Sequence, residues 1–323
     1  MTVAAPLLAT KLVRLPGLYA RLTSSRLSLV WTVYYYARRL APVRRVNGWF
    51  IRRQLTPALQ RLGVGGFDLV VLTHHMYGHC LAWLTEAGTP VVVLVTDLFG
   101  GPLEWFAPGA HHYVVPSRDM WDAARRRGVP ERDLLLRRLP TRAGRTPPHA
   151  CSNPSGPRRI LVVGGADGVG PIGPVVAGLA GPGRRVTVVC GRNTRLCAAL
   201  ARRGLPGVEV LGFVDDLPAL LGEHDLVVTK PGSVTVQELL DRGVPFLLLP
   251  GIPGVERGNA LRIGRLLGLP MLRSARDARR LIARLTLSEA NRAAGRVDAE
   301  LPEAPLTADD LSTMVTRWGA PRR

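Results

Sequence analysis

Lysine is almost missing from this chain: of 43 basic residues, only Lys11 and Lys230 are not arginine. The arginine excess comes with 35 glycines and 27 prolines, the mark of GC-rich coding. The net charge of +19 therefore does not by itself specify an anionic partner, and Lys230 stands out as the one lysine beyond the N-terminal segment. Cysteine is scarce too. Cys80, Cys151, Cys190 and Cys197 form no CxxC pair and no metal-ligand spacing, which excludes a zinc-ribbon type of fold and fits free thiols in a reducing cytosol. No stretch reaches the roughly 18 apolar residues of a membrane span. The N-terminus lacks the order of charge, apolar run and small-residue cleavage site of a secretory signal. A soluble or peripheral cytoplasmic protein is expected. Aspartates spaced D-x-D for a metal are also absent, Asp215 and Asp216 being adjacent.

Acidic residues are missing from the first 67 positions, which hold eleven basic ones. Interleaved with these are Tyr19, Trp31, Tyr34, Tyr35, Tyr36, Trp49 and Phe50. The apolar run Leu27 to Ala37 is too short to span a bilayer. On a helix, Leu27, Trp31, Tyr34 and Tyr35 fall close to one face, with Arg38 and Arg39 one turn on. Basic and aromatic residues together suit a peripheral site on an anionic membrane surface, where each basic residue contributes about 1 kcal/mol. The plainer alternative is an amphipathic helix packed on its own domain. Nucleic acid is a third, and no nucleic-acid module accompanies the charge.

Beyond this segment, short β-branched runs alternate with helical stretches. Strands are expected at Phe67–Thr73, Val91–Thr96 and Tyr113–Val115, with helices at Cys80–Glu86 and Arg118–Arg127. A Pro-, Gly- and Ser-rich linker follows over 143–159. The rhythm then restarts with Ile160–Val163, Val186–Cys190, Val208–Leu211, Leu226–Thr229 and Phe246–Leu249. Alternation of this kind means α/β architecture with parallel sheets covered on both faces. The expected domains are 1–142 and 160–323, the latter ending in a helical tail past Thr286.

Two stretches of the second unit could carry chemistry. Ile160 to Val163 runs straight into Gly164-Gly165-Ala166-Asp167-Gly168-Val169-Gly170, a glycine-rich turn that matches neither a P-loop nor the G-x-G-x-x-G spacing. Leu226 to Thr229 leads through Lys230-Pro231-Gly232-Ser233 into a helix expected from about Val234 to Arg242. Helix-start N–H groups lack partners within the helix and sit at the positive end of its dipole, so such a turn holds anions. Thr235 and Glu238 also have the spacing of a capping box, which would explain both without a ligand. A capping box would not explain Glu256 and Asn259 on the Gly/Pro-rich loop after the next strand, at the edge where α/β sheets bind ligands.

Taken in order, GGADGVG (Gly164–Gly170), VVCGRN (Val188–Asn193), LGFVDDLPALL (Leu211–Leu221), VVTKPGSVTVQELLDRGVP (Val227–Pro245) and IPGVERGN (Ile252–Asn259) resemble the nucleotide-sugar-binding half of GT-B glycosyltransferases. The branch most similar holds monogalactosyldiacylglycerol synthases and processive diacylglycerol glucosyltransferases and, more distantly, the lipid II-forming N-acetylglucosaminyltransferase. In the first unit Thr96-Asp97-Leu98, Trp105-Phe106, Val115-Pro116-Ser117, Arg127 to Pro130 and Leu139 to Arg142 fall in the same family order.

The resemblance implies two Rossmann-like domains facing a cleft, metal-independent chemistry and no cofactor beyond the UDP-sugar donor. It implies that backbone around Phe213 holds uracil and that Glu238 binds ribose. Gly232, Ser233 and Val234 would offer N–H groups to the diphosphate, with Arg192 as a cation for the leaving UDP. Glu256 and Asn259 would contact sugar hydroxyls, and Gly165 and Gly168 would face the cleft. Two departures stand out. Relatives begin with a strand and a glycine-rich loop ending in His, and nothing before Tyr19 has that form, so the first strand is expected to be missing. Relatives also carry His-Pro-x-Trp where this chain has Gly101-Pro102-Leu103-Glu104-Trp105. A general base must reach the acceptor hydroxyl, and Asp97, His75 and Glu104 are the candidates. Asp97 could instead cap a turn at a strand end, and His75 could be an ordinary loop histidine.

The expected function is hexose transfer from a UDP-sugar to a membrane lipid on the inner face of the cell membrane. A catalytically impaired homologue that binds donor or lipid is the reading from another class. A nucleotide-sugar epimerase shares the architecture.

Overall fold

The structure is a computed structural model that describes residues 33, 37, 40–86, 88–141, 157–252 and 256–318. Most of the Leu27–Ala37 helix face and of the 143–159 linker, and the expected missing strand, lie outside these residues. The chain divides into two compact units. One takes in the described residues up to Arg138 together with those from Pro302 on, and the other runs from Leu139 to Leu301.

The first unit opens with helix α1, Ala41–Arg61. Ile51, Leu55, Ala58 and Leu59 bury its inner face. Val46, Trp49 and Phe50 stand out in solvent at 67%, 54% and 50% exposure, among exposed Arg44, Arg45, Arg52 and Arg53. Strand β1 (Val70–Leu72), helix α2 (Leu81–Glu86), β2 (Val91–Leu94), β3 (His112–Val115), helix α3 (Arg118–Arg126) and β4 (Leu134–Leu136) follow. The four strands pair in parallel in chain order. Val71 is opposite Val92, Val93 opposite Tyr113, and Val114 opposite Leu135. Tight 3-10 turns at His75–Cys80 and Leu103–Phe106 carry the residues after β1 and β2. The expected Phe67–Thr73 strand shrinks to Val70–Leu72, and the expected Cys80–Glu86 helix starts one residue later, after the first of these turns takes in Cys80. β4 was not expected.

In the second unit the expected strands appear with ends shifted by at most one residue. They are β5 (Arg159–Val163), β6 (Arg185–Val189), β7 (Val208–Leu211), β8 (Leu226–Thr229) and β9 (Phe246–Leu248). Between them lie helices α4 (Ile172–Leu179), α5 (Thr194–Arg203), α6 (Leu217–Gly222) and α7 (Ser233–Asp241). Helices α8 (Arg257–Leu267), α9 (Ala275–Ile282) and α10 (Leu287–Asp298) complete the unit. The sheet is fully parallel in the order β7-β6-β5-β8-β9. Ile160, Leu161, Val162, Leu226, Val227 and Val228 are wholly buried, as strands covered on both faces require. α4 and α9 pack so closely that a Cβ on Gly178 would lie 2.3 Å from the Ala275 carbonyl oxygen.

The expected helical tail of the second unit is divided, which corrects the 160–323 boundary. α10, whose start is capped by a box between Thr286 and Glu289, stays with its sheet by packing Ala290 into that sheet's core. From Pro302 the chain rejoins the first unit, where helix α11 (Ala308–Trp318) lies. The reason is an uncovered apolar face: Met314 packs against Val92 and Val114, with Leu306 and Leu311 beside it. The Arg138 N–H donates to the Ala304 carbonyl at 2.9 Å, and the Leu306 N–H returns a bond to the Arg138 carbonyl at 2.9 Å.

Candidate active site

In the second sheet β5 is central, with β6 and β7 to one side and β8 and β9 to the other. The strand order thus reverses at β5, and loops after such a reversal leave room for a ligand at the carboxyl edge. The expected donor residues all belong to the segments that follow these strands.

The glycine turn after β5 is packed backbone to backbone. Gly165 and Gly168 have φ of 75° and 54°, a region where only glycine is unstrained. A Cβ on Gly168 would sit 2.2 Å from the Cys190 carbonyl oxygen. Asn193 caps α5 through the Leu196 N–H at 3.0 Å, and its amide donates to the Gly168 carbonyl at 3.1 Å. The Arg192 N–H donates to the Ala166 carbonyl at 2.8 Å. The Arg192 guanidinium lies 3.6 Å from Asp167 Oδ1 and 4.9 Å from the ring centre of Phe213. Phe213 is half exposed, so an aromatic face and a cation are held together at the surface after β7.

At the start of α7 the cap is Gly232, not Thr235. Thr235 is the third helical residue, so the capping-box explanation of Thr235 and Glu238 fails. Glu238 instead stands in the second turn with 8% exposure. The Gly232 N–H donates to the Lys230 carbonyl at 2.8 Å, which removes it from the donors expected to face a diphosphate. The first intrahelical bond runs from the Val236 N–H to the Gly232 carbonyl at 3.0 Å. The N–H groups of Ser233, Val234 and Thr235 therefore precede the helix's own ladder.

The later loop is stitched to this helix start. Glu256 and Asn259 are 8% and 3% exposed. The Lys230 ammonium donates to Glu256 Oε1, and the Ile252 N–H donates to Oε2 at 2.8 Å. Asn259 Nδ2 donates to the Pro231 carbonyl at 3.0 Å and to Ser233 Oγ at 2.8 Å. Sequence reasoning singled out Lys230 for its rarity and gave it no partner. Rarity was the only signal available, because Glu256 lies 26 positions away.

In the first unit two of the three candidate bases meet at one ring. The Trp105 indole N–H donates to Asp97 Oδ2 at 2.6 Å. His75 meets the same ring edge-on at 5.9 Å between centroids, with His74 stacked on it at 4.4 Å. Glu104 belongs to the turn that holds Trp105, and its carbonyl lies where a Cβ on Gly78 would be, 2.0 Å away. A Cβ on Gly101 would sit 2.5 Å from Asp97 Oδ2 and 3.0 Å from the indole. A side chain at position 101 has no room there, since the Asp97–Trp105 pair fills the space. Trp105 was quoted only as part of a motif, yet it orients the leading base candidate. Among the described residues no group of three or more His, Cys, Asp or Glu could hold a metal ion, and no helix is long and apolar enough to cross a membrane.

The family model for monogalactosyldiacylglycerol (MGDG) synthase matches residues 6–136. A probable monogalactosyldiacylglycerol synthase 2, chloroplastic, of Oryza sativa subsp. indica is 28% identical over 222 residues, covering 59% of this chain and 46% of that protein. A probable monogalactosyldiacylglycerol synthase, chloroplastic, of Glycine max is 26% identical over 261 residues, covering 71% and 48%. The chain thus spans about half the length of the curated relatives it matches. Among solved structures, Acinetobacter baumannii MurG has a TM-score of 0.57 at 16% identity, covering 83% of this chain and 78% of that one. The spinosyn rhamnosyltransferase SpnG complexed with thymidine diphosphate has a TM-score of 0.58 at 17% identity, covering 87% and 84%. In fold the chain is similar to the GT-B glycosyltransferases, and in sequence it resembles the monogalactosyldiacylglycerol synthases.

Proposed function

We propose that this protein transfers a hexose from a UDP-sugar to a membrane lipid, with diacylglycerol as the acceptor class. The observation that carries this reading is the network at the start of α7. There Lys230–Glu256 and Asn259–Ser233 bind a polar loop to a helix N-terminus at a strand-order reversal. In the proposed site, backbone around Phe213 receives the uracil and Glu238 the ribose hydroxyls. The N–H groups of Ser233 and Val234 face the diphosphate, and Glu256 and Asn259 meet the sugar. As the glycosidic bond to UDP breaks, negative charge grows on the diphosphate. The α7 dipole and Arg192 are oriented in advance to stabilise it there. Asp97, steadied through one oxygen by Trp105, takes the proton of the acceptor hydroxyl. The exposed aromatic and arginine face of α1 rests on the anionic cytoplasmic surface of the membrane.

Calorimetric titration with UDP, followed by an assay of radiolabelled hexose transfer from UDP-glucose and UDP-galactose to diacylglycerol, tests the reading. Saturable UDP binding and a labelled glycolipid are expected. No binding up to about 1 mM, equivalent to ~4 kcal/mol, would remove the donor site. UDP binding without transfer to any lipid would favour a non-catalytic donor-binding partner.

A further inference from the structure

We infer that Lys230 is a positioning residue that ties recognition of the donor's diphosphate to recognition of its sugar; the inference rests on the donor-site reading above. Its stem lies over bare backbone. A Cβ on Gly165 would be 2.5 Å from Lys230 Cε, and Gly165 has φ of 75°, so the glycine both makes the turn and leaves room for the lysine. The ammonium reaches the Glu256 carboxylate. A Cβ on Gly232 would lie 3.8 Å from the ammonium and 3.6 Å from Glu256 Oε1. Cation and carboxylate therefore both border the bare backbone at the entrance of α7. The two side chains are 19% and 10% exposed, largely out of the water that would screen them.

An ammonium has three protons to give. One goes to Glu256, and a phosphate oxygen arriving at the helix start takes another. Before a donor arrives, Glu256 balances the lysine charge, which left alone would be costly to bury. Once it arrives, the same ammonium holds Glu256 in place for the sugar while answering the phosphate. The residue choice agrees with this role. A chain that uses arginine for 41 of its 43 basic residues keeps lysine here, where a compact charge on a flexible stem lies over the bare backbone of Gly165.

The test titrates uridine, UDP and UDP-glucose into the full chain and into Lys230→Met, Glu256→Gln and the double variant, with thermal unfolding of each. Lys230→Met is expected to bind UDP about tenfold or more weakly, the worth of one charge-assisted hydrogen bond, and uridine unchanged. It is also expected to unfold at lower temperature, because Glu256 loses its partner. Adding Glu256→Gln should restore the unfolding temperature and leave UDP affinity low. If the double variant regains both, the lysine merely props Glu256, and the inference is overturned. Wild-type UDP affinity in Lys230→Met overturns it equally. A wild-type chain that binds no UDP brings down the donor-site reading, and this inference with it, before any variant is compared.

Discussion

At Gly101, Asp97 and Trp105 a missing side chain, a carboxylate and an indole occupy one space, so their roles are separable by substitution. Trp105→Phe keeps an aromatic ring in a buried slot and deletes the N–H held 2.6 Å from Asp97. It is expected to lower kcat about tenfold or more while leaving the KM for UDP-sugar unchanged, because a misplaced base costs rate without touching the donor. Asp97→Asn should cost about 10²–10⁴ in kcat. Steady-state kinetics of both variants check this, and a wild-type rate in Asp97→Asn would discard Asp97 as the base. The placement of the candidate donor residues was legible in part. Gly165 and Gly168 sit in a glycine turn, and Glu256 and Asn259 on a polar loop, that follow strands, patterns local in the chain. The role given to Glu238, by contrast, came from the resemblance. What stayed hidden was pairing. Nothing in the spacing says that Lys230 closes on Glu256, that Asn259 ties down Ser233, or that Gly232 caps α7 in place of Thr235.

Among the elements, α11 departs furthest from expectation, and its anchors define its contribution. The Asp310 carboxylate takes the Arg137 guanidinium at 3.0 Å and the Thr307 N–H at 2.9 Å. Burial works against the charge of Asp310, but the hydrogen bonds of Arg137 and Thr307 outweigh it, holding the carboxyl below its ordinary 3.8. The sign follows from the depressed value. The contribution to stability is whole above pH 3.8 and is lost as pH falls through the lower, folded value. Asp310→Asn is therefore expected to lower stability by about 1 kcal/mol at neutral pH and by progressively less towards the acid limit. Met314→Ala, which empties a buried contact with Val92 and Val114, should cost about 2–3 kcal/mol at every pH. Denaturant unfolding at pH 7 and at pH 3 compares them, and an Asp310→Asn deficit that grows in acid would refute the assignment. Helical character past Thr286 was legible because apolar spacing and caps are local. Its destination was not, since it depends on an apolar sheet face built from Val92 and Val114, some two hundred residues earlier. β4 escaped notice for a related reason: three leucines make a strand only when β3 is beside them.

Over the whole molecule the net charge of +19 is unevenly placed, and α1 concentrates it next to exposed Val46, Trp49 and Phe50. Arg53 lies over the Trp49 ring at 5.5 Å, on a groove of about 460 Å³ lined also by Phe50, Pro57 and Arg61. Flotation with anionic vesicles should recover the protein at low salt and lose it as salt rises. Replacing Arg44, Arg45, Arg52 and Arg53 by Gln should abolish recovery, each being worth about 1 kcal/mol at such a surface. Equal recovery on neutral vesicles, insensitive to salt, would contradict membrane docking through this helix. The charge asymmetry and the two parallel sheets were readable from composition and rhythm, while the return of the chain to the first unit from Pro302 was not. That return sets an order of events at the ribosome. The second unit is one continuous stretch, finished once Leu301 has emerged, whereas the first must wait for α11 to cover Val92 and Val114. Domains usually fold in the order they are made; here the unit that is begun first is the one completed last.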